Sequence, residues 1–266
     1  MRVSRERLLW RSTGLAALLA FLLCLVGFAL ALNPFVLAPA NSALPAQKQP
    51  ATATPPLANN GGALQIVTLG DSLTRGTGDT NGRGYVGILR DALAKQNGTK
   101  PVINNLAISG QQSPALLEQL AQPQVKKLIA QANLIVFTIG GNDLFQQSGG
   151  LYELDKEKLA QANEQLAANF EQILKQLRQL NATATIIYPS LYNPFGDTEA
   201  AAETAPPVLD WNSTASAIAA KYPRVIVVPT YDLFVQKEQA YLYSDHFHPN
   251  SAGYIRIAER ILQALQ

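Results

Sequence analysis

Short apolar runs alternate along this chain with longer stretches of helical period. The runs Gln65 to Leu69, Val102 to Leu106, Leu134 to Ile139, Thr185 to Tyr188 and Val225 to Val228 are rich in aliphatic residues and read as five buried strands. Between them, Asp155 to Leu180 places Leu159, Leu166, Phe170, Ile173, Leu174, Leu177 and Leu180 at three- and four-residue steps, with Gln, Lys and Glu elsewhere. That spacing predicts an amphipathic helix. Ser251 is expected to cap a last helix whose buried stripe is Ile255, Ala258, Ile261, Leu262 and Leu265, and Tyr85 to Lys95 and Pro206 to Ala220 are weaker helical patterns. Repeated β-α alternation implies an α/β fold with a mostly parallel sheet and helices on both faces, because right-handed crossovers put them there. Ligands of such folds gather at the carboxyl ends of the strands.

The N-terminal region breaks this pattern. From Ser12 to Leu32 there is no charged side chain, and about 20 apolar residues are enough to cross a bilayer core. Arg2, Arg5, Arg7 and Arg11 precede the run and the next basic residue is Lys48, so the positive-inside bias exports the remainder of the chain. Residues 1–35 are therefore expected to be a membrane anchor or signal segment. Ala29-Leu30-Ala31 offers a cleavage site, but the apolar run exceeds the usual ~7 to 15 residues of a signal peptide, which favours retention. Residues 36–62, rich in Ala, Pro, Asn and Thr, read as a flexible linker, and 63–266 as one folded domain.

Charge and cysteine content narrow the chemistry. The formal charge is +2, of which the four arginines and Glu6 place +3 in the first eleven residues, so the remainder carries −1 and offers no basic face to nucleic acid. The single cysteine, Cys24, lies in the apolar segment, leaving the domain no thiol for a disulfide, a nucleophile or a metal site.

Gly70-Asp71-Ser72-Leu73-Thr74 follows the first strand and sets a hydroxyl in the turn at its carboxyl end, a place suited to a nucleophile as well as to an ordinary turn. Serine needs a base, usually a histidine oriented by a carboxylate. The chain has two histidines, His246 and His248, both in Tyr243-Ser244-Asp245-His246-Phe247-His248-Pro249-Asn250. Asp245 and His248, three residues apart, can meet within one turn and leave the second ring nitrogen for Ser72. After the third strand, Gly140-Gly141-Asn142-Asp143 lets Asn142 aim an amide at a developing oxyanion, and Ser109-Gly110 after the second strand offers a backbone NH. All four segments fall at one end of the expected sheet.

These blocks, Gly70 to Leu73, Ser109-Gly110, Gly140 to Asp143 and Asp245 to Pro249, resemble those of the SGNH (GDSL) hydrolases in kind and order, from about Ile66 to Ala264. The resemblance is nearest to single-domain bacterial GDSL lipases and acylhydrolases. It implies a three-layer α/β/α sandwich with a five-stranded parallel, flavodoxin-like sheet. It further implies Ser72 as nucleophile, Asp245 and His248 as its partners, and an oxyanion hole from the Ser72 NH, Gly110 and Asn142, with no metal and no cofactor. His246 lies inside the last block, but His248 alone has the spacing and precedes Pro249. An α/β-hydrolase elbow would need glycine where Thr74 stands.

Leu144, Phe145, Leu191, Tyr192 and Phe195 are candidates to wall an apolar acyl site. The expected substrate is an acyl ester, a lipid such as a lysophospholipid or an acylated surface polymer; an acetylated polysaccharide is the rival. Two other readings compete. Gly70, Gly76, Gly78 and Gly82 after a strand suggest a phosphate-binding module, although neither usual glycine motif fits. Asp245, His246 and His248 suggest a zinc site, although three ligands within four residues strain the geometry.

Overall fold

The computed structural model describes residues 17–24, 62–146 and 155–266. Residues 17–24 are helical, with Leu18, Leu19, Phe21, Leu22 and Leu23 exposed. Among the described residues no helix is long and apolar enough to cross a membrane. The rest of the expected anchor, and the expected linker up to residue 61, lie outside the described residues.

From residue 62 onward the chain builds one five-stranded sheet of order β2-β1-β3-β4-β5, with every pairing parallel. The strands are β1 (Gln65–Gly70), β2 (Val102–Asn105), β3 (Leu134–Thr138), β4 (Thr185–Pro189) and β5 (Val225–Val228). The longer helices are α1 (Gly84–Asn97), α2 (Ser113–Ala121), α3 (Pro123–Gln131), α4 (Gly141–Gln146), α5 (Lys156–Leu180), α6 (Ala201–Ala219) and α7 (Ser251–Ala264).

Alternation along the strands sorts the core into two layers. Val67, Leu69, Ile135, Phe137, Ile186 and Tyr188 pack with α2, α3, α5 and α6 through Leu116, Ile129, Phe170 and Trp211. Ile66, Leu134, Val136, Ile187 and Val228 face the other way and meet α1 and α7 through Leu89, Leu93, Ile257 and Ile261. The sandwich therefore has three layers, as the resemblance implies.

Several expectations need correction. Only β1, β3 and β4 are buried along their length; β2 and β5 are edge strands, and Val102 is 45% exposed. The cap of α7 is Asn250, whose side chain accepts from the Ala252 and Gly253 N–H groups, and Ser251 is the first helical residue. Its buried stripe runs through Tyr254, Ile257, Ala258 and Ile261, while Ile255 is 41% exposed; the helix is turned so that the polar Arg256 and Glu259 also face out. Helix α6 begins at Ala201 and carries Pro206 and Pro207 within it. The crossover from β2 to β3 holds two helices, α2 and α3, that the apolar pattern did not announce.

Candidate active site

Strand β1 ends on Gly70, whose φ of +106° belongs to the left-handed half of backbone space and whose Cβ, if present, would overlap the Thr138 carbonyl oxygen. Only glycine lets β1 and β3 stay paired while the chain turns. Asp71 then caps a single helical turn, Ser72–Arg75, by accepting from the Leu73 N–H at 3.0 Å. Ser72 is the first residue of that turn, so its N–H has no acceptor within it.

Asp71 Oδ1 also accepts from Thr138 Oγ1 at 2.6 Å, Thr138 Oγ1 lies 2.8 Å from Thr74 Oγ1, and Thr74 Oγ1 lies 2.6 Å from the Tyr85 hydroxyl. This buried chain ties the serine turn to β3 and α1. Burial pushes the Asp71 pKa up, and the Thr138 and Leu73 hydrogen bonds offset part of that rise.

The segment before α7 brings the imidazole to this turn. His248 Nε2 lies 2.8 Å from Ser72 Oγ, and His248 Nδ1 lies 2.6 Å from Asp245 Oδ2. Asp245 Oδ1 accepts from the N–H groups of Phe247 at 3.0 Å and His248 at 2.9 Å, which closes the three-residue turn. Burial tends to raise the Asp245 pKa, but the bonds from the His248 ring, the His248 N–H and the Phe247 N–H outweigh it and hold the carboxyl below its ordinary value. An ionised carboxylate only accepts, so Nδ1 carries the ring proton of neutral His248 and Nε2 presents a lone pair to the Ser72 hydroxyl.

His246 turns elsewhere, its Nε2 lying 2.8 Å from Asp197 Oδ1, with its own backbone at φ +54°. The two imidazoles are thus claimed by different carboxylates, and among the described residues no group of three or more His, Cys, Asp or Glu is arranged to hold a metal ion.

Asn142 sits at the start of α4, where its Nδ2 donates to the Gln111 carbonyl at 3.0 Å and its Oδ1 accepts from Gln146 Nε2 at 2.8 Å. These bonds fix the amide and leave its second N–H free for a ligand. Asp143, next in the chain, accepts from Ser113 N at 2.8 Å and Ser113 Oγ at 2.5 Å, docking α2 against α4. Gly110 is exposed at φ +78°.

Ser72, Gly110, Asn142 and His248 all line one groove of about 560 Å³, within the range of small-ligand sites. Phe145, Phe195 and Phe247 form its apolar wall, and Leu191, Tyr192 and Pro194 close a smaller recess beside Ser72. Leu144, expected in that wall, is instead fully buried in the core on the inward side of α4. Tyr192 stacks on Phe234 with ring centroids 4.1 Å apart and donates its hydroxyl to the Phe247 carbonyl at 2.7 Å. It thereby steadies the histidine segment as well as lining the recess.

Sequence reasoning missed Phe247, Asp71 and Thr138. Phe247 stood in plain view between the two histidines, whereas the contact between Asp71 and Thr138 depends on the β1–β3 register.

The sequence profile of the GDSL-like Lipase/Acylhydrolase family matches residues 68–256. The uncharacterized protein YpmR of Bacillus subtilis (strain 168) is 39% identical over 208 residues, which span 76% of this chain and 82% of that protein. The spore germination lipase LipC of Bacillus licheniformis is 28% identical over 208 residues, 76% of this chain and 96% of the relative. Among solved structures, the lipase Lip_vut3 from a goat rumen metagenome matches with a TM-score of 0.69 at 28% identity, over 76% of this chain and 97% of that one. A Clostridium thermocellum family 3 carbohydrate esterase matches in fold, with a TM-score of 0.56 at 18% identity over 77% and 98% of the two chains.

Proposed function

Because this chain belongs to the GDSL-like lipase/acylhydrolase family and is an ester-hydrolysing enzyme, we propose that it cleaves carboxylic esters through an acyl-enzyme on Ser72. The observation that carries this reading is the relay Ser72 Oγ to His248 Nε2 at 2.8 Å and His248 Nδ1 to Asp245 Oδ2 at 2.6 Å.

In this mechanism His248 takes the Ser72 proton as Oγ attacks the ester carbonyl carbon. The carbonyl electron pair moves onto oxygen, which the N–H groups of Ser72 and Gly110 and the free amide hydrogen of Asn142 receive. Collapse expels the alcohol, protonated by His248. Water, deprotonated by the same imidazole, then releases the acid and restores Ser72. Asp245 keeps the ring in the tautomer that this requires.

The test is Ser72→Ala, which is expected to abolish both p-nitrophenyl ester hydrolysis and labelling by a fluorophosphonate while the circular dichroism spectrum is unchanged. Undiminished turnover in that variant would end the proposal.

For the substrate, the apolar wall of Phe145, Phe195 and Phe247 favours a lipid acyl chain. A carbohydrate O-acetyl ester is the second reading, favoured by the likeness in fold to a carbohydrate esterase. Profiling p-nitrophenyl esters of graded length beside acetylated sugars separates them, and preference for the acetyl sugars over every longer ester would overturn the lipid assignment. The arginine-flanked apolar run further supports a domain held outside the cytoplasm by an N-terminal anchor. Full-length protein should then leave the membrane fraction with detergent but not with salt.

A further inference from the structure

The nine residues after the serine turn contain Gly76, Gly78, Gly82 and Gly84, a density that ester chemistry does not require. Their setting explains them. At Gly78 (φ +91°) a Cβ would lie 2.6 Å from the Pro249 carbonyl oxygen and 3.0 Å from His248 Cβ, so the loop backbone rests directly on the segment carrying the imidazole. Polar ties flank this contact. Tyr254 donates its hydroxyl to the Thr77 carbonyl at 2.6 Å, and Ser251 Oγ donates to Asp79 Oδ1 at 2.5 Å.

Asp79 is the hub of the loop. Its Oδ1 also accepts from the Asn81 N–H at 3.0 Å, and its Oδ2 from the N–H groups of Arg83 at 2.9 Å and Gly84 at 2.8 Å. Asn81 Nδ2 in turn donates to Ser251 Oγ at 3.1 Å. Four donors converge on one carboxylate, and the Ser251 hydroxyl among them belongs to the residue three places after His248.

We infer that Asp79 is a positioning residue for the Ser72–His248 pair, its carboxylate latching the loop that leaves the serine turn onto the chain that leaves the histidine. The inference rests on the reading of Ser72 and His248 as the reacting pair. Those two residues are 176 positions apart, and β-sheet pairing fixes only the first of them. The latch supplies what the sheet does not, a direct tie between the two loops. Burial tends to raise the Asp79 pKa, but the Ser251 hydroxyl and the Asn81, Gly84 and Arg83 N–H groups outweigh it, keeping the group below its ordinary value and charged at neutral pH. Hydrogen bonds to a charged acceptor are shorter and stronger than neutral ones.

The experiment compares Asp79→Ala, Ser251→Ala and the double variant in the full chain, by p-nitrophenyl ester kinetics and by the rate of fluorophosphonate labelling. In Asp79→Ala, kcat and the labelling rate should fall about 10- to 100-fold, the effect of small misplacements of reacting groups, with KM within about two-fold. Ser251→Ala should show a smaller loss of the same kind, and the double variant a loss well short of the product of the two, because both remove the Asp79–Ser251 bond and Ser251 adds only its contacts with Asn81 and Thr80. Arg260→Ala, which breaks the bidentate pair with Asp232 near the other end of α7, serves as a control for mere destabilisation and should label at the unsubstituted rate. If Asp79→Ala does not fold, Asp79→Asn and Ser251→Ala carry the same comparison. A folded Asp79→Ala that labels at the unsubstituted rate, or an equal loss in Arg260→Ala at matched thermal midpoint, overturns the latch alone. Labelling that persists in Ser72→Ala overturns the reacting pair and the latch with it.

Discussion

Asp71 and Asp245 flank the candidate nucleophile and its base, and their surroundings push them in opposite directions. Burial raises Asp71, while Asp245, also raised by burial, is carried below its ordinary value by three hydrogen bonds. The signs have consequences. A carboxyl whose folded pKa is raised makes the folded state bind its proton more tightly, so the ionised form lowers stability at neutral pH and that cost fades as pH falls through the raised value. Both Asp71 hydrogen bonds land on Oδ1, which asparagine retains. Asp71→Asn should therefore melt higher than the unsubstituted protein at pH 8, with the gap closing on acidification toward the unfolded value of about 3.9. A gap that widened with acid would show that the charge stabilises the fold. Asn142 acts at the same scale: Asn142→Ala should lower kcat by roughly 100- to 1000-fold without loss of fold, the usual cost of one oxyanion donor, and unchanged turnover would remove it from the mechanism. The nucleophile, base and oxyanion candidates were legible because each sits in a short block with its own local chemistry. Their supports were not, since Thr138 for Asp71, Gln111 for Asn142, and Ser251 for Asp79 become neighbours only through pairing and packing.

At the scale of elements, the hydrophobic pattern found the five strands within a residue or so of their ends, because the central strands β3 and β4 are short, buried and mostly apolar and even the edge strands β2 and β5 open on a β-branched pair. It failed where that condition lapses. Helices α2 and α3 are nine residues each, separated by Gln122 and opened by prolines, so their few apolar anchors never complete two turns of a repeating stripe. The best marked helix, α5, carries Phe170, whose ring centroid lies 4.7 Å from that of Tyr188 and 5.3 Å from that of Trp211. Trp211 donates to the Tyr188 hydroxyl at 2.8 Å, and that hydroxyl donates to the Ile139 carbonyl at 2.8 Å, three residues before Asn142. The aromatic cluster therefore underlies the strand end from which α4 starts. Phe170→Ala should cost about 3–5 kcal/mol in urea unfolding. A loss well below that range would mean that the surrounding rings collapse into the vacated space.

For residues 62–266 as a whole, neither half of the chain can cover the sheet alone. Helix α1 from the first half and α7 from the last pack on the same face, sharing a core of Leu89, Leu93, Ile257 and Ile261. Removing either strips Ile66, Val136 and Ile187 of cover, so sheet and helices should unfold in one transition. The His248 segment is a separate matter, since it is a loop and loops open at lower cost than the strands they connect. Its ties to the rest run through Tyr192 to the Phe247 carbonyl, through Asp197 to His246, and through Asp79 to Ser251. With those in place, fluorophosphonate labelling and far-UV circular dichroism should be lost at the same urea concentration. In Asp79→Ala the labelling transition should move to lower urea while the dichroism midpoint moves less, because the loop then opens before the sheet does. Two transitions already separated in the unsubstituted protein would show that the segment opens by itself despite all three ties, and that Asp79 does not set the stability of the close approach of His248 to Ser72.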